Sequence, residues 1–449
     1  MFLRDNAARS TQLHTLEHDL GGVAYHAAMP FRFVRVATLI GLMVATASGR
    51  AGPAVPWTVS IVPLRSPARP DSAQPQLSSS ARGQLLSWVE RDGQKATLRF
   101  AERTASGWSA ARNVASGTDW FVNWADVPSV IRLGSGELAA HWLQKSGSDT
   151  YAYDVRLSFS KDDGKTWSPS LTPHSDGTKT EHGFASLFQM PGAGLGLAWL
   201  DGRAMKSGAG HDSHGGGGGV MSVRFAAFDR SWKQTSEMPV DLRVCECCPT
   251  TAAVTSEGPI VAYRNRTEDE VRDIFVSRLE KGKWTEPQAV HADGWKIAAC
   301  PVNGPMLSAR GRDVVIAWFT GQADQPRTFV AFSKDAGRTF GSPIRLDDAG
   351  AVGGVDIELM PDGAAIASWI ESVDQRAQFR IRRIEPSGAK SAAITVAGLA
   401  GGRSSGYPRI AADANEVVFA WTDTSGATPR VQTAVARLPS SSQTRRTDQ

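Results

Sequence analysis

Apolar residues come in short runs along most of the chain, separated by turns bearing Gly, Ser, Asp and Pro, and no helix-period segment stands out after the N-terminus. One signature recurs: an apolar strand, then an aromatic residue (usually Trp), then a polar residue. It ends at Arg91, Gln144, Arg203, Arg266, Thr320, Glu371 and Asp423, with Trp88, Trp142, Trp199, Tyr263, Trp318, Trp369 and Trp421 as the key aromatics. A second short apolar segment precedes each strand, often opened by Pro (Pro75, Pro128, Pro249, Pro305, Pro408). A third strand follows, and then a turn leads to a fourth opened by Trp108, Trp167, Trp232, Trp284 or Phe340.

Four short strands in each unit of about fifty residues is the sequence form of a propeller blade, and the expected fold is an all-β propeller with seven blades. A count of six follows if one unit is a simple hairpin. The last unit stops after its third strand, and Trp57-Thr-Val-Ser-Ile-Val supplies the missing fourth. The N-terminal strand is therefore expected to close the ring inside the final blade, leaving no frayed edge.

Two of the turns are near copies of each other. Ser160-Lys-Asp-Asp-Gly-Lys-Thr-Trp167 returns as Ser333-Lys-Asp-Ala-Gly-Arg-Thr-Phe340. In this pattern Ser and Asp bond the turn's own backbone, Gly supplies a positive φ, and the aromatic anchors the next strand. The pattern resembles the Asp-box (BNR repeat) of the sialidase-like β-propeller superfamily. With strands A to D running outward, both boxes fall in C–D turns. These lie opposite the face made by B–C loops and D–A crossovers, so Asp162 and Asp335 are read as structural.

Composition adds little that changes this picture. The net charge is +4 over 449 residues, with no Lys/Arg cluster interleaved with aromatics, so a nucleic-acid partner is not expected. Near the start, Met29-Pro-Phe-Arg-Phe-Val-Arg precedes the apolar run Val36 to Val44 and Ala45-Thr46-Ala47. This is the form of a secretory signal starting at Met29 and cleaved after Ala47, its apolar core too short to span a bilayer. Residues 1–47 are thus a signal region, 48–437 a single propeller and 438–449 a disordered tail. The mature protein is expected to be exported, periplasmic or secreted, with no transmembrane segment.

The chemistry-bearing residues collect on the B–C/D–A face. The third blade's B–C loop carries Asp201-Gly-Arg203, His211 and His214, then five glycines. The fourth blade's loop carries Arg264, Arg266, Arg272 and Asp273. Crossovers bring Trp120, Trp124 and Asp126, then His174, Glu181 and His182, then Arg403, Tyr407 and Arg409. All four cysteines lie in two consecutive crossovers, Cys245-Glu-Cys247-Cys248 and Cys300, placed side by side by adjacent blades. In an exported chain an even cysteine count suits disulfides, with Cys300 to Cys247 or Cys248 the simplest bridge. The same thiols with His211, His214 or His182 suit copper or zinc, and free or redox-active thiols are the third reading.

The resemblance implies catalytic roles as well as a fold. In sialidases a Phe/Tyr-Arg-Ile-Pro segment before the first blade grips the substrate carboxylate. Here Ala73-Gln74-Pro75-Gln76-Leu77 stands in its place, and the arginine is missing. By the same resemblance Asp126 is the candidate acid, Tyr407 the nucleophile and Glu358 its carboxylate partner. Arg203, Arg264, Arg266, Arg272, Asp273, Arg403 and Arg409 are the candidate substrate-binding set, the arginines suited to a carboxylate. Two functions are expected: an exported sialidase-like protein binding or hydrolysing an anionic glycan, or a non-hydrolytic propeller with a Cys/His metal site or a protein partner.

Overall fold

The computed structural model describes residues 56–205 and 219–439, which fall within one compact unit. The expected signal region, His211 and His214, and all of the expected tail past Pro439 lie outside them. No helix among the described residues is long and apolar enough to cross a membrane.

The fold is a propeller of seven antiparallel blades. The innermost strands are Ser72–Ser80, Ser129–Arg132, His182–Gln189, Thr251–Thr255, Met306–Arg310, Ala351–Leu359 and Arg409–Ala412, and the chain runs outward from each. In the second blade the outer position is held by a bridge from Leu171 to Leu157. In the seventh, Ile61–Leu64 pairs antiparallel with Arg430–Arg437. Trp57 packs among Phe379, Phe419 and Ala434.

The core is divided between the blades. Seven apolar clusters sit one at each blade-to-blade interface, including the contact of the seventh blade with the first through Ala411, Val418 and Val431 against Leu77, Leu86 and Trp88. The second strand of each blade is covered on both sides. That is why runs such as Leu195–Asp201 are buried throughout instead of alternating.

The recurring aromatic–polar signature has a physical cause. Residues i and i+2 of a strand share a face, so a carboxylate two positions on can accept the indole N–H of a buried Trp. Trp88 Nε1 donates to Glu90 at 3.0 Å and Trp199 Nε1 to Asp201 at 2.9 Å. Trp318 reaches the same end with Asp293 of a neighbouring loop, at 2.8 Å.

The two Ser-x-Asp-x-Gly-x-Thr turns share one bonding pattern. Ser160 Oγ donates to Asp162 and accepts from Gly164 N, while Asp162 accepts from Thr166 N and Oγ1. Ser333, Asp335, Gly337 and Thr339 repeat every one of these bonds. Gly164 and Gly337 have φ near +80°, and a Cβ at either would overlap Phe100 or Ile260.

Candidate functional site

Three constellations occupy the face made by the B–C loops and crossovers, and a fourth set of polar groups lines the central channel. The channel holds a cavity of about 200 Å³ bordered by the innermost strands of all seven blades. Asp126, Asp356, Glu358 and Arg409 all point into its wall. Burial pushes the Asp126 carboxyl up to about 7, against a bond from Phe184 N at 2.8 Å. Burial, with Asp356 beside it, pushes Glu358 up to about 8. Glu358 accepts from Ser308 Oγ at 3.2 Å, whereas the Tyr407 hydroxyl donates to the Val302 carbonyl. Asp126 meets a different phenol: Tyr153 Oη donates within 2.9 Å of Asp126 and 2.7 Å of Glu181, stacked on Phe121. The proximity of Tyr153 to these two carboxylates was not foreseen, because Tyr153 opens an interior strand.

The arginines of the face have divergent fates. Arg264 is buried and donates to the carbonyls of Asn303, Arg272 and Phe319. Arg266 and Arg272 both pair with Glu246 and Glu270. Arg203 is held by Asp201 and Glu237, and Asp273 accepts the amides of Gly294 and Trp295. Arg409 is buried at the channel with its guanidinium over Tyr407. Arg403 alone of the seven is exposed, and it lies 5.8 Å over the Trp124 ring.

Trp124 borders a pocket of about 400 Å³ between the first and seventh blades and the crossovers beside them. Arg91, Gln74, Ser404, Thr422, Thr424 and Thr428 share its wall. Arg91 is exposed, and neither it nor Arg403 has a carboxylate partner among the described residues. Gln74, held at φ 59°, donates its amide to Asn123 O and keeps a buried carbonyl oxygen without a hydrogen bond.

The cysteines form the second constellation. Cys245, Cys247 and Cys248 bring their sulfurs within 4.8 Å of one another, and Cys300 packs against them. All four are free. The Cys245–Cys247 sulfur separation of 3.8 Å is far longer than a disulfide of about 2.05 Å. Burial opposes ionisation of Cys245, but hydrogen bonds from Cys247 and Cys248 and the Arg272 guanidinium at 3.4 Å outweigh it and hold the thiol low. Burial and the neighbouring Cys245 push Cys247 and Cys248 up. Tyr407 belongs to the same cluster and lies 5.4 Å from Trp124, so the thiols and the Trp124 pocket share a wall.

The third constellation joins the second and third blades: His174 and His182 stack at 3.8 Å among Asp154, Asp176 and Asp201. The two histidines stood out in the sequence; the aspartates that converge on them come from two strands and a crossover at irregular spacing and carry no motif.

No family model matches this chain, and no curated protein matches it. Solved structures do. A protein of unknown function from Dyadobacter fermentans is 14% identical at a TM-score of 0.48, covering 86% of this chain and 100% of its own. The NanB sialidase from Streptococcus pneumoniae is 10% identical at 0.45, covering 84% and 94%. The polysaccharide lyase Uly1 is 9% identical at 0.51, covering 88% and 94%, a likeness of β-propeller fold alone.

Proposed function

We propose that this chain is an exported sialidase-like propeller that binds an anionic glycan in the pocket beside Trp124. The observation that carries the reading is a pocket of about 400 Å³ bordered by Trp124 and Arg91, with Arg403 over the Trp124 ring and neither guanidinium paired with a carboxylate among the described residues. Sugar rings stack on indoles through their apolar faces, and a sugar carboxylate or sulfate is the natural partner of a forked arginine. Ala73, where the resemblance expects the first arginine, lines the same pocket, and Arg91 brings a guanidinium there from the next strand. The names of the fold neighbours, a polysaccharide lyase and a sialidase, agree with a glycan ligand.

The test is calorimetric titration with sialylated, uronate-bearing and neutral oligosaccharides. The charged sugars should bind, with Arg91→Ala and Arg403→Ala each weakening them roughly tenfold, a loss of about 1.4 kcal/mol. Trp124→Ala should abolish binding. Equal affinity for neutral sugars, or indifference to all three substitutions, would overturn the reading. The hydrolytic form assigns Asp126, Tyr407 and Glu358 the acid, nucleophile and partner roles, and it stands only if fluorophore release from an aryl sialoside is lost in Tyr407→Phe.

The convergence of four thiols supports a second reading, a soft-metal site for copper or zinc on the same face. Protein purified from the periplasm should then carry about one bound ion per chain and show no reactive thiols until a chelator is added. Full thiol titration without a chelator, or two intact disulfides, would rule it out.

A further inference from the structure

We infer that Asp154, His174 and His182 form a binding site for a divalent transition ion of the zinc type, at the junction of the second and third blades. Asp154 Oδ1 lies 3.7 Å from His174 Nε2 and 3.3 Å from His182 Nδ1. For ligands 2.0–2.1 Å from a tetrahedral ion, the ligand-to-ligand separation is about 3.3 Å. All three atoms are shut off from solvent, and none makes a hydrogen bond among the described residues. Buried polar atoms are nearly always bonded, so three unbonded donor atoms gathered within 4.8 Å of one another call for a common partner. His182 is itself wholly buried.

The outer nitrogens support the same assignment. His174 Nδ1 lies 3.0 Å from Asp176 Oδ2, and His182 Nε2 lies 3.3 Å from that same oxygen and 3.8 Å from Asp201. A carboxylate behind a histidine fixes its tautomer and raises its basicity toward a metal; here one carboxylate, Asp176, backs both rings. Trp199 Nε1 and Arg203 in turn hold Asp201. The charges agree. Among the described residues Asp154, Asp176, Asp201 and Glu237 face Arg203 and Arg224, an excess of two negative charges that a divalent ion offsets while both imidazoles stay neutral. Because the rings are stacked with only 11° between their planes, coordination splays them.

The inference requires neither the glycan reading nor the thiol reading, and one experiment separates it from both. Chelator-stripped full-length protein is titrated with Co²⁺. The expected result is saturable visible d–d absorption without the strong near-ultraviolet band of a cobalt–thiolate bond. Asp154→Asn and His174→Gln should abolish that signal, and Asp176→Asn, a positioning residue, should weaken it by roughly 10–100-fold. Melting curves of the stripped variants, unchanged from the parent, certify that they are folded, and the parent's rise in Tm on adding Zn²⁺ should vanish in Asp154→Asn. The inference fails if stripped protein binds no Co²⁺, as for a His182 imidazolium held by the aspartates alone. It also fails if the absorption is that of thiolate, or survives both Asp154→Asn and His174→Gln.

Discussion

Arg272→Met should lower the unfolding free energy by about 3–5 kcal/mol, measured by guanidinium denaturation. The side chain is wholly buried and divides its guanidinium between Glu246 and Glu270, each at 2.9 Å, while touching Cys245. Methionine would fill much of the volume but take from Glu246, itself buried, one of its two guanidiniums among the described residues, Arg266 being the other. The cost lies in stranding buried negative charge more than in losing attraction. Arg272→Lys should recover only part of it, because a point charge cannot fork between two carboxylates. Adding Glu246→Gln to Arg272→Met should recover part as well, by removing one stranded anion. A loss below about 1 kcal/mol, the level of an exposed ion pair, would show that water reaches the network.

The second large effect is one of pH. Glu358 has a folded-state pKa of about 8, pushed up by burial and by Asp356, so the folded protein holds this proton more tightly than the unfolded chain. Its contribution to stability is complete below the ordinary carboxylate range and drains away as pH rises through about 8. The full swing is on the order of 5 kcal/mol. Glu358→Gln keeps the shape and cannot ionise. The difference in Tm between variant and parent should therefore grow in the variant's favour from pH 5 to pH 9. Taking the difference isolates Glu358 from Asp126, which is also raised. Parallel Tm curves would mean that Glu358 ionises freely in the channel.

The blade count was legible because each blade repeats one solution to one local problem: a buried indole and an apolar strand covered on both sides. The bonding of the two Ser-x-Asp-x-Gly-x-Thr turns was legible for the same reason, their bonds running within eight consecutive residues. The gathering of the cysteines followed from topology, since successive crossovers emerge side by side. The identity of the unpaired arginines was not legible. Arg264 and Arg403 look alike in sequence, and what separates them is the set of carbonyls at Asn303 and Phe319 that only the fold delivers to Arg264. Arg91 passed as part of a strand ending, and its place in the Trp124 pocket depends on the seventh blade. The aspartates around His174 and His182 were hidden likewise, because Asp154 lies within a strand of the preceding blade.

The placing of one apolar cluster at each of the seven blade-to-blade interfaces has a consequence for how the molecule is completed. Six interfaces join blades that are consecutive in sequence and can form as the chain lengthens. The seventh, where Val418 and Val431 meet Leu86 and Trp88, joins residues from opposite ends of the chain. Until it forms, the assembly is an open arc with two raw apolar sides, each a template for another arc. Loop-closure entropy grows only slowly with length, so the seam is affordable thermodynamically yet late in time. Substitutions at Val418 or Leu86 should therefore favour joined or swapped oligomers during refolding, where equivalent changes at an interior interface chiefly lower stability.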